Sequence, residues 1–500
     1  MVHYYFSVNI TLYRKGIVMK WNNSSAKDQT QFDPADIFSV GLQFHHVANT
    51  AYPIGHTTSM RPYRVPRRAV RDFVPQPWQE IDHLGLYVHI PFCEARCGFC
   101  EYTVVDPATL TRDEDLYFDL LVKEFELYAL ALDTPSKKLI GFDIGGGTPA
   151  VARLENIERV VAMARACFQL PAEVTISIET TPKIAAQQPE KIRAYRAMGI
   201  ERISMGVQTV SPRLLAQYGR CHTRLDFDQQ AAENIRSAGF EKFNIDVMYG
   251  FANQTPYSLE ATLKHVIRLN PDYVTLYRMR YKGTRVSAQA ENISLVQVNQ
   301  LAELAKELLL AAGYQGSPGK NTFSRIDGDV GTSDYLSERV INGTPYLGLG
   351  LGAQSLSHHS LAYNNGAAEK QIKLYRQKIE QNRLPIQDLY HLSREAAMAK
   401  MISVSFYFGE INLASFQYKF RIALEEAFPA EVSFLLDQGL MAYAQTENVI
   451  PTTPGNAALR LTPEGVFNIN GVIALFYNGE VKAHLLTKAQ LIPNGPLWHD

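Results

Sequence analysis

The sequence predicts an α/β fold: six consecutive βα units carrying a parallel sheet, followed by a smaller, mostly α C-terminal domain. Three observations predict it. From about residue 85, short runs rich in β-branched and aromatic residues alternate with stretches of helical periodicity. Turn and cap residues punctuate that alternation, and past residue 281 it gives way to mainly helical patterns. Six parallel units form either a doubly wound open sheet or a partial barrel, and connection lengths alone do not choose between them.

The first eighty residues stand outside the pattern. Their RPYRVPRRAVRDF segment places Arg61, Arg64, Arg67, Arg68 and Arg71 around Pro62 and Pro66. Such a run reads as a solvated linker; recognition of a substrate carboxylate or phosphate by the arginine forks is the sharper alternative. Met19, ahead of a polar stretch, is a second candidate translation start, which would remove residues 1–18.

The strands expected are GLYVHI (85–90), LIGFDI (139–144), EVTISI (173–178), RISMGV (202–207), KFNIDV (242–247) and DYVTLY (272–277). Between them, Thr111 and Glu114 have the spacing of a capping box, and Gly199 and Gly239 sit where helices end. A helix over 294–312 follows, with Leu301, Leu304, Ala305 and Leu308 on one face and Gly313 as its stop. The expected organisation is an N-terminal extension (1–80), a core (81–315), a connecting segment (316–359) containing YLGLGLGAQS, and the helical domain (360–500), in which LRLTPEGVFNINGVIALF reads as a strand running into a Thr-Pro-Glu helix start.

Composition bounds the partners. In 500 residues, 46% are hydrophobic and 20% charged, with a formal net charge of −1. That balance fits a globular protein with two or three cores and gives no hint of a nucleic-acid or membrane-surface partner. No apolar run approaches the ~20 residues a bilayer span needs, and the N-terminus lacks an uninterrupted apolar signal core, so a cytoplasmic location is expected. In a reducing compartment, a cluster of three among five cysteines argues for metal binding or catalysis. Cys167 follows helical spacing and reads as a core thiol; Cys221 reads as structural.

Each expected strand is followed by a polar or glycine-rich signature, on the edge of a parallel fold where ligands bind. In order these are Cys93, Cys97 and Cys100; Gly145-Gly146-Gly147-Thr148-Pro149; Glu179; Gln208 and then Arg220; Asp246; and Arg278 with Arg280. The CxxxCxxC loop gives soft sulfur ligands suited to zinc or to an iron–sulfur cluster. A structural zinc wants a fourth donor, for which His89 and His222 are conceivable. A 4Fe–4S cluster on three thiolates instead leaves one iron open to a cofactor.

Together YVHIPFCEARCGFC, GGGTP, IETTP, GIERISMGVQ, GRCH, NIDVMYGFANQT and GLGLGAQS resemble the radical S-adenosylmethionine (SAM) enzymes, and among them the oxygen-independent coproporphyrinogen III oxidase family. The resemblance runs from about residue 84 to about 480. It implies a partial (βα)6 TIM-like radical SAM barrel whose 4Fe–4S cluster, on Cys93, Cys97 and Cys100, binds SAM at its open iron and, with one electron, splits it to methionine and a 5′-deoxyadenosyl radical. It further implies two SAM molecules: Tyr87, Gly146, Glu179 and Gln354 at one, Phe99, Gly147, Thr148, Gln208, Arg220, Asp246 and Arg280 at the other. A flavodoxin or ferredoxin is the implied electron donor.

Two departures divide the family's branches. Coproporphyrinogen oxidases carry a fourth cysteine two residues past the third, where this chain has Tyr102. The Asn-then-Tyr-Trp signature of the heme-chaperone branch is missing from NTFSRIDGDVGTSDY. The resemblance therefore implies a radical SAM oxidoreductase or C-methyltransferase acting on a tetrapyrrole or other small molecule, with coproporphyrinogen decarboxylation in heme biosynthesis and non-enzymatic heme carriage as alternatives.

Overall fold

The computed structural model describes residues 32–43, 60–70, 74–220 and 225–491. Met19, Arg71, Cys221 and His222 lie outside the described residues. The main sheet begins with β1 (His83–Ile90), β2 (Lys138–Gly146), β3 (Ile176–Thr180), β4 (Ile200–Gln208), β5 (Lys242–Tyr249) and β6 (Tyr273–Arg278). These six pair in parallel and in sequential order. Sequential order without reversal, joined by right-handed crossovers, sets the connecting helices on one face and curls the sheet into a partial barrel rather than a doubly wound layer.

The sheet continues at both ends. β7 (Thr322–Ser324) lies antiparallel to β6, while β8 (Tyr346–Leu349) pairs in parallel with β1 and leads into antiparallel β9 (Gln354–Leu356), β10 (Ser360–Asn364) and β11 (Ile386–His391). The boundary expected at 360 therefore falls inside the sheet. The second core gathers later, from Leu392 onward, around buried Ile402, Phe406, Phe416, Leu435 and Phe476. Its helices enclose a small antiparallel sheet of β12 (Glu410–Asn412), β13 (Met441–Gln445) and β14 (Ala457–Leu461), in the order β12-β14-β13. The N-terminal extension is partly built into it: helix Pro34–Gly41 packs so closely on helix Ile469–Leu475 that a Cβ on Gly41 would stand 2.6 Å from Ala474 Cβ.

Helix Leu110–Leu132 illustrates how the barrel is covered. Tyr117, Leu121, Phe125 and Tyr128 recur at helical spacing and are buried, so one stripe of the helix closes over the sheet. The capping box expected from Thr111 and Glu114 does not form. Glu114 is buried and instead accepts from Arg153 N (2.7 Å) and Asn156 Nδ2 (2.9 Å), satisfying the start of the neighbouring helix Leu154–Cys167. Gly199 (φ +90°) and Gly239 (φ +84°) do follow helix ends in the left-handed region.

The arginine segment is docked through its backbone and the buried Val65, while Arg61, Arg64, Arg67 and Arg68 remain exposed to solvent. Val65 N donates to Leu389 O at 2.9 Å, and Arg64 forms an ion pair with Asp388, so the chain lies along the outer strand β11. Arg61, Arg64, Arg67 and Arg68 do not line the cavity described below.

Helix Asp334–Ile341 packs against β1 and β2, where two glycines make room for it. A Cβ on Gly85 would lie 2.7 Å from the Tyr335 ring, and one on Gly141 would lie 2.2 Å from Tyr335 N. Ser333 Oγ donates to Asp143 Oδ2 at 2.7 Å and Asp334 Oδ2 accepts from Thr175 N at 2.9 Å, fixing the helix in register. Backbone cannot yield as a flexible side-chain tip can. Gly141→Ala is therefore expected to cost about 3 kcal/mol, read as a fall in the denaturant midpoint of unfolding.

Candidate functional site

A cavity of about 810 Å³ opens at the carboxyl ends of β1–β6. Cys93, Cys97, Cys100, Tyr87, Phe99, Gly146, Gly147, Thr148, Glu179, Gln208, Arg220, Asp246, Arg280 and Gln354 all line it. Residues from Tyr87 to Gln354 thus share one wall, because most of them lie in or just after the carboxyl-terminal half of a parallel strand, Gln354 entering from the antiparallel β9.

The cysteine loop is held by backbone. After β1, Ile90 O accepts from Gly147 N and Phe92 O from Thr148 N, both at 2.8 Å; Gly98 N donates to Tyr218 O at 2.8 Å. Gly146 turns at φ +125°, and a Cβ there would meet the His89 ring at 2.7 Å. On Gly147 a Cβ would stand 2.5 Å from Phe92 O and 3.0 Å from Cys93 Sγ. The consecutive glycines are what lets the second loop lie flush against the first.

The three thiols are half-buried and face polar neighbours. Cys93 Sγ and Thr148 Oγ1 are 3.5 Å apart, and Arg220 Nη1 donates to Cys97 Sγ at 3.5 Å. Burial pushes the Cys93 thiol up to about 12 and also raises that of Cys100, with the neighbouring thiols adding to both. Thiolates at such positions need cationic metal to offset their charge. Among the described residues no three His, Cys, Asp or Glu side chains are grouped for one metal ion. A cubane bonds each sulfur through a different iron, so its thiolates do not converge on one point. His89 supplies no ligand: Nε2 donates to Thr103 O (2.7 Å), Nδ1 accepts from Tyr87 Oη (3.0 Å), and burial lowers the ring to about 4, so it is neutral with both nitrogens occupied.

Deeper in the cavity stand three carboxyl groups. Glu179 accepts from Gly146 N at 3.2 Å and opens to the cavity rather than to bulk water; burial, reinforced by Asp246, pushes it up to about 8. Asp246 accepts from Ser204 Oγ (3.1 Å) and Asn244 Nδ2 (2.7 Å), and burial raises it as well. Asp143 is raised to about 6 by burial. Asp143 Oδ1, Gln208 Oε1 and Arg220 Nε are buried without a protein partner. Acceptors facing a cavity in this state suit a ligand that brings ammonium and hydroxyl donors, as SAM does.

The remaining expected residues complete the wall. Gln208 sits at φ +66° after an irregularity in the β4–β5 register, a backbone position a side chain adopts only when its surroundings hold it there. Phe99 packs with Tyr218 and Phe251 at centroid separations of 6.0 and 5.8 Å, giving an apolar slot. Arg280 pairs with Glu101 at 2.7 Å. Gln354 accepts from Tyr346 Oη and donates to Tyr363 Oη (2.8 Å), so two tyrosines position its amide.

Sequence reasoning missed the aromatic part of the wall. Tyr102 (57% exposed) and Tyr277 (36% exposed) present their surface to the cavity, and Tyr407, from the second unit, donates to Tyr277 Oη at 3.4 Å. Tyr335 and Arg339 reach the cavity from the helix packed on β1 and β2. Tyr102 was legible only as the place of a missing cysteine; the others carry no local motif.

The glycine-rich block before Gln354 is tied down by Glu124. This fully buried carboxyl accepts from Gly350 N (2.8 Å), Tyr375 Oη (2.5 Å) and Asn364 Nδ2 (2.8 Å), while burial raises it to about 7. With the folded value above the unfolded one, its stabilisation is complete below about 4.5 and is lost as pH rises toward 7. In Glu124→Gln the decline in stability between those pH values is expected to lessen by one proton's worth, up to about 1.4 kcal/mol per pH unit, measured by denaturant unfolding at a series of pH values.

Comparison with known proteins gives a consistent result. Residues 87–266 match the radical SAM superfamily model. The oxygen-independent coproporphyrinogen III oxidase of Escherichia coli (strain K12) is 31% identical over 314 residues, 60% of this chain and 66% of that protein. The heme chaperone HemW of Mycobacterium tuberculosis (strain CDC 1551 / Oshkosh) is 32% identical over 247 residues, 48% of this chain and 61% of that one. The matched region thus spans just under two thirds of these relatives' length. Among solved structures, coproporphyrinogen III oxidase (HemN) from Escherichia coli, described as a radical SAM enzyme, superposes with a TM-score of 0.66 and 25% identity, covering 82% of this chain and 93% of that one.

Proposed function

This chain is a member of the radical SAM superfamily, homologous to the oxygen-independent coproporphyrinogen III oxidases and the heme chaperones, and on that premise we propose that it is an enzyme with a 4Fe–4S cluster on Cys93, Cys97 and Cys100. The observation that carries the reading is the shared cavity: three thiols, a glycine cradle and a set of unpartnered buried acceptors face the same space. When bound, the cluster supplies the electron that splits SAM and so generates a radical able to take hydrogen from carbon.

The protein's own groups bind, orient and shield. Glu179 and Tyr87 accept from one SAM, with Gly146 letting its methionine part approach and Gln354 closing the side. Asp246, Gln208 and Thr148 bind the second, Phe99 packs on its apolar part, and Gly147 admits it beside the thiols. Arg220, between Cys97 Sγ and Gly206 O, pairs with a carboxylate, and Arg280 stands beside it on the same wall. Tyr407 and Tyr277 join the second unit to the barrel and exclude water from the reacting centre.

The substrate is a small molecule, a tetrapyrrole or another unsaturated compound, and the reaction is C-methylation or oxidative modification. Tyr102, standing where the coproporphyrinogen oxidases carry a further cysteine, favours methylation. Relatives named coproporphyrinogen III oxidase favour decarboxylation as the second reading. A flavodoxin or ferredoxin supplies the electron, and the reaction is cytoplasmic. Among the described residues no helix is long and apolar enough to cross a membrane. An anaerobic assay of reconstituted protein with dithionite, SAM and candidate tetrapyrroles separates the readings. 5′-Deoxyadenosine with S-adenosylhomocysteine means methyl transfer, and 5′-deoxyadenosine with carbon dioxide means decarboxylation. Bound heme with neither product would overturn the enzymatic reading.

A further inference from the structure

The cysteine loop has an inner and an outer side, and the inner side carries the thiols on the cavity wall. A cluster held there takes its electron from a donor that stays outside the protein, and transfer through protein weakens steeply with distance. The short route crosses the loop itself. Three cations are fastened along that loop, and none of the three lines the cavity. Lys183 Nζ donates to Glu94 Oε1 at 2.8 Å beside the first cysteine, and Lys370 Nζ donates to Glu101 O at 2.9 Å beside the third. Between them the exposed Arg285 donates its backbone N to Gly98 O at 3.2 Å. They come from helix Pro182–Gln187, from the connection between β10 and β11, and from the segment after β6.

The loop's own acids do not offset this charge. Glu94 is taken by Lys183, and Glu101 pairs with Arg280 at 2.7 Å. The exposed Glu369, next to Lys370 in the chain, accepts from Gln387 Nε2 at 3.5 Å. Arg96, inside the loop, adds a further cation: burial lowers Lys370 below the ordinary lysine value and the neighbouring Arg96 adds to that shift, so the two charges stand close together. A surface with such an excess of positive charge draws an acidic partner from solution and orients it. Redox partners meet through small, weak interfaces, so a few charges decide the encounter.

We propose that the outer side of the cysteine loop, framed by Lys183, Arg285 and Lys370, is the docking surface for an acidic, low-potential electron-carrier protein. The inference rests on the cluster assigned above to Cys93, Cys97 and Cys100 and adds where its electron enters. One electron passes from the reduced carrier to the cluster, leaving the carrier oxidised by one electron, and no bond is made or broken at the surface.

Flavodoxin is the probe, and the loss of iron–sulfur absorbance in the anaerobically reconstituted full chain reports electron arrival. Reduced flavodoxin is expected to reduce the parent at a rate that falls as salt is raised. With Lys183→Glu and Arg285→Glu combined, the second-order rate at low ionic strength is expected to fall about tenfold or more and to lose its salt dependence. Arg285→Glu alone is expected to give part of that fall, and it keeps the test open if the double variant fails to fold. Reduced methyl viologen, a small cation that needs no docking, is expected to reduce the variants no more slowly than the parent. Binding of labelled oxidised flavodoxin, read by fluorescence anisotropy at low ionic strength, is expected to weaken in the same variants. A flavodoxin rate unchanged in both variants overturns the proposal, as does a cluster that viologen reduces and flavodoxin does not; either result leaves the cluster assignment standing. Protein that holds no cluster at all overturns that assignment, and the docking surface with it.

Discussion

Anaerobically reconstituted protein in which Cys93, Cys97 and Cys100 are all alanine is expected to lack iron–sulfur absorbance and to release 5′-deoxyadenosine from SAM at least about a thousandfold more slowly than the parent. The reason lies in what the loop offers. The three sulfurs stand in one cavity wall, fixed by the Gly147, Thr148 and Gly98 amide bonds, and both nitrogens of His89, the one histidine among the described residues of that wall, are occupied by Tyr87 and Thr103. With the thiols gone, no other cysteine remains among the described residues of the wall to supply a thiolate. Cys167→Ala is the matched control: that thiol is 6% exposed in the packed face of helix Leu154–Cys167, remote in role from the cavity. Its loss is expected to shift stability modestly and to leave the cluster and SAM cleavage intact.

Gly147→Ala is expected to lower SAM cleavage about a hundredfold or more while the protein remains folded. The added Cβ would lie 2.5 Å from Phe92 O and 3.0 Å from Cys93 Sγ. Relief requires the cysteine loop to move away from the glycine loop, stretching the Ile90–Gly147 and Phe92–Thr148 hydrogen bonds. A displacement of that size at a reacting centre costs about two orders of magnitude in rate. Gly239→Ala provides the comparison. Its φ of +84° makes alanine unfavourable by about 1–2 kcal/mol, yet a Cβ there meets nothing within 4 Å, so stability is expected to fall with activity unchanged. Rate of 5′-deoxyadenosine formation and denaturant midpoint, measured side by side for both variants, separate loop displacement from general backbone strain.

The barrel was legible because its signals are local and repeated. Each of the six strands is a run of β-branched residues ending in a chemically distinct residue, and parallel pairing necessarily collects those ends on one edge. Gly146, Glu179, Gln208 and Asp246 could be placed together for that reason alone. What escaped the sequence is non-local. Helix Asp334–Ile341 announces its position only through Gly85 and Gly141, whose missing side chains have meaning once Tyr335 is seen against them. β8 to β10 are three to five residues long, too short to show a period, so the sheet was expected to end before it does. The docking of the arginine segment on β11 was not legible because its partners, Asp388 and Leu389, lie more than three hundred residues away. Glu114 had the spacing of a cap and serves a different helix, since burial beside Asn156 outweighs the local bond.

The most direct test is the electron paramagnetic resonance spectrum of the dithionite-reduced, reconstituted protein, recorded with and without SAM. A reduced cluster signal whose shape changes when SAM is added is expected, because an iron without a protein ligand is free to take the cofactor's amino and carboxylate groups. A signal indifferent to SAM, or a preparation that holds one zinc per chain and no iron, would contradict the account.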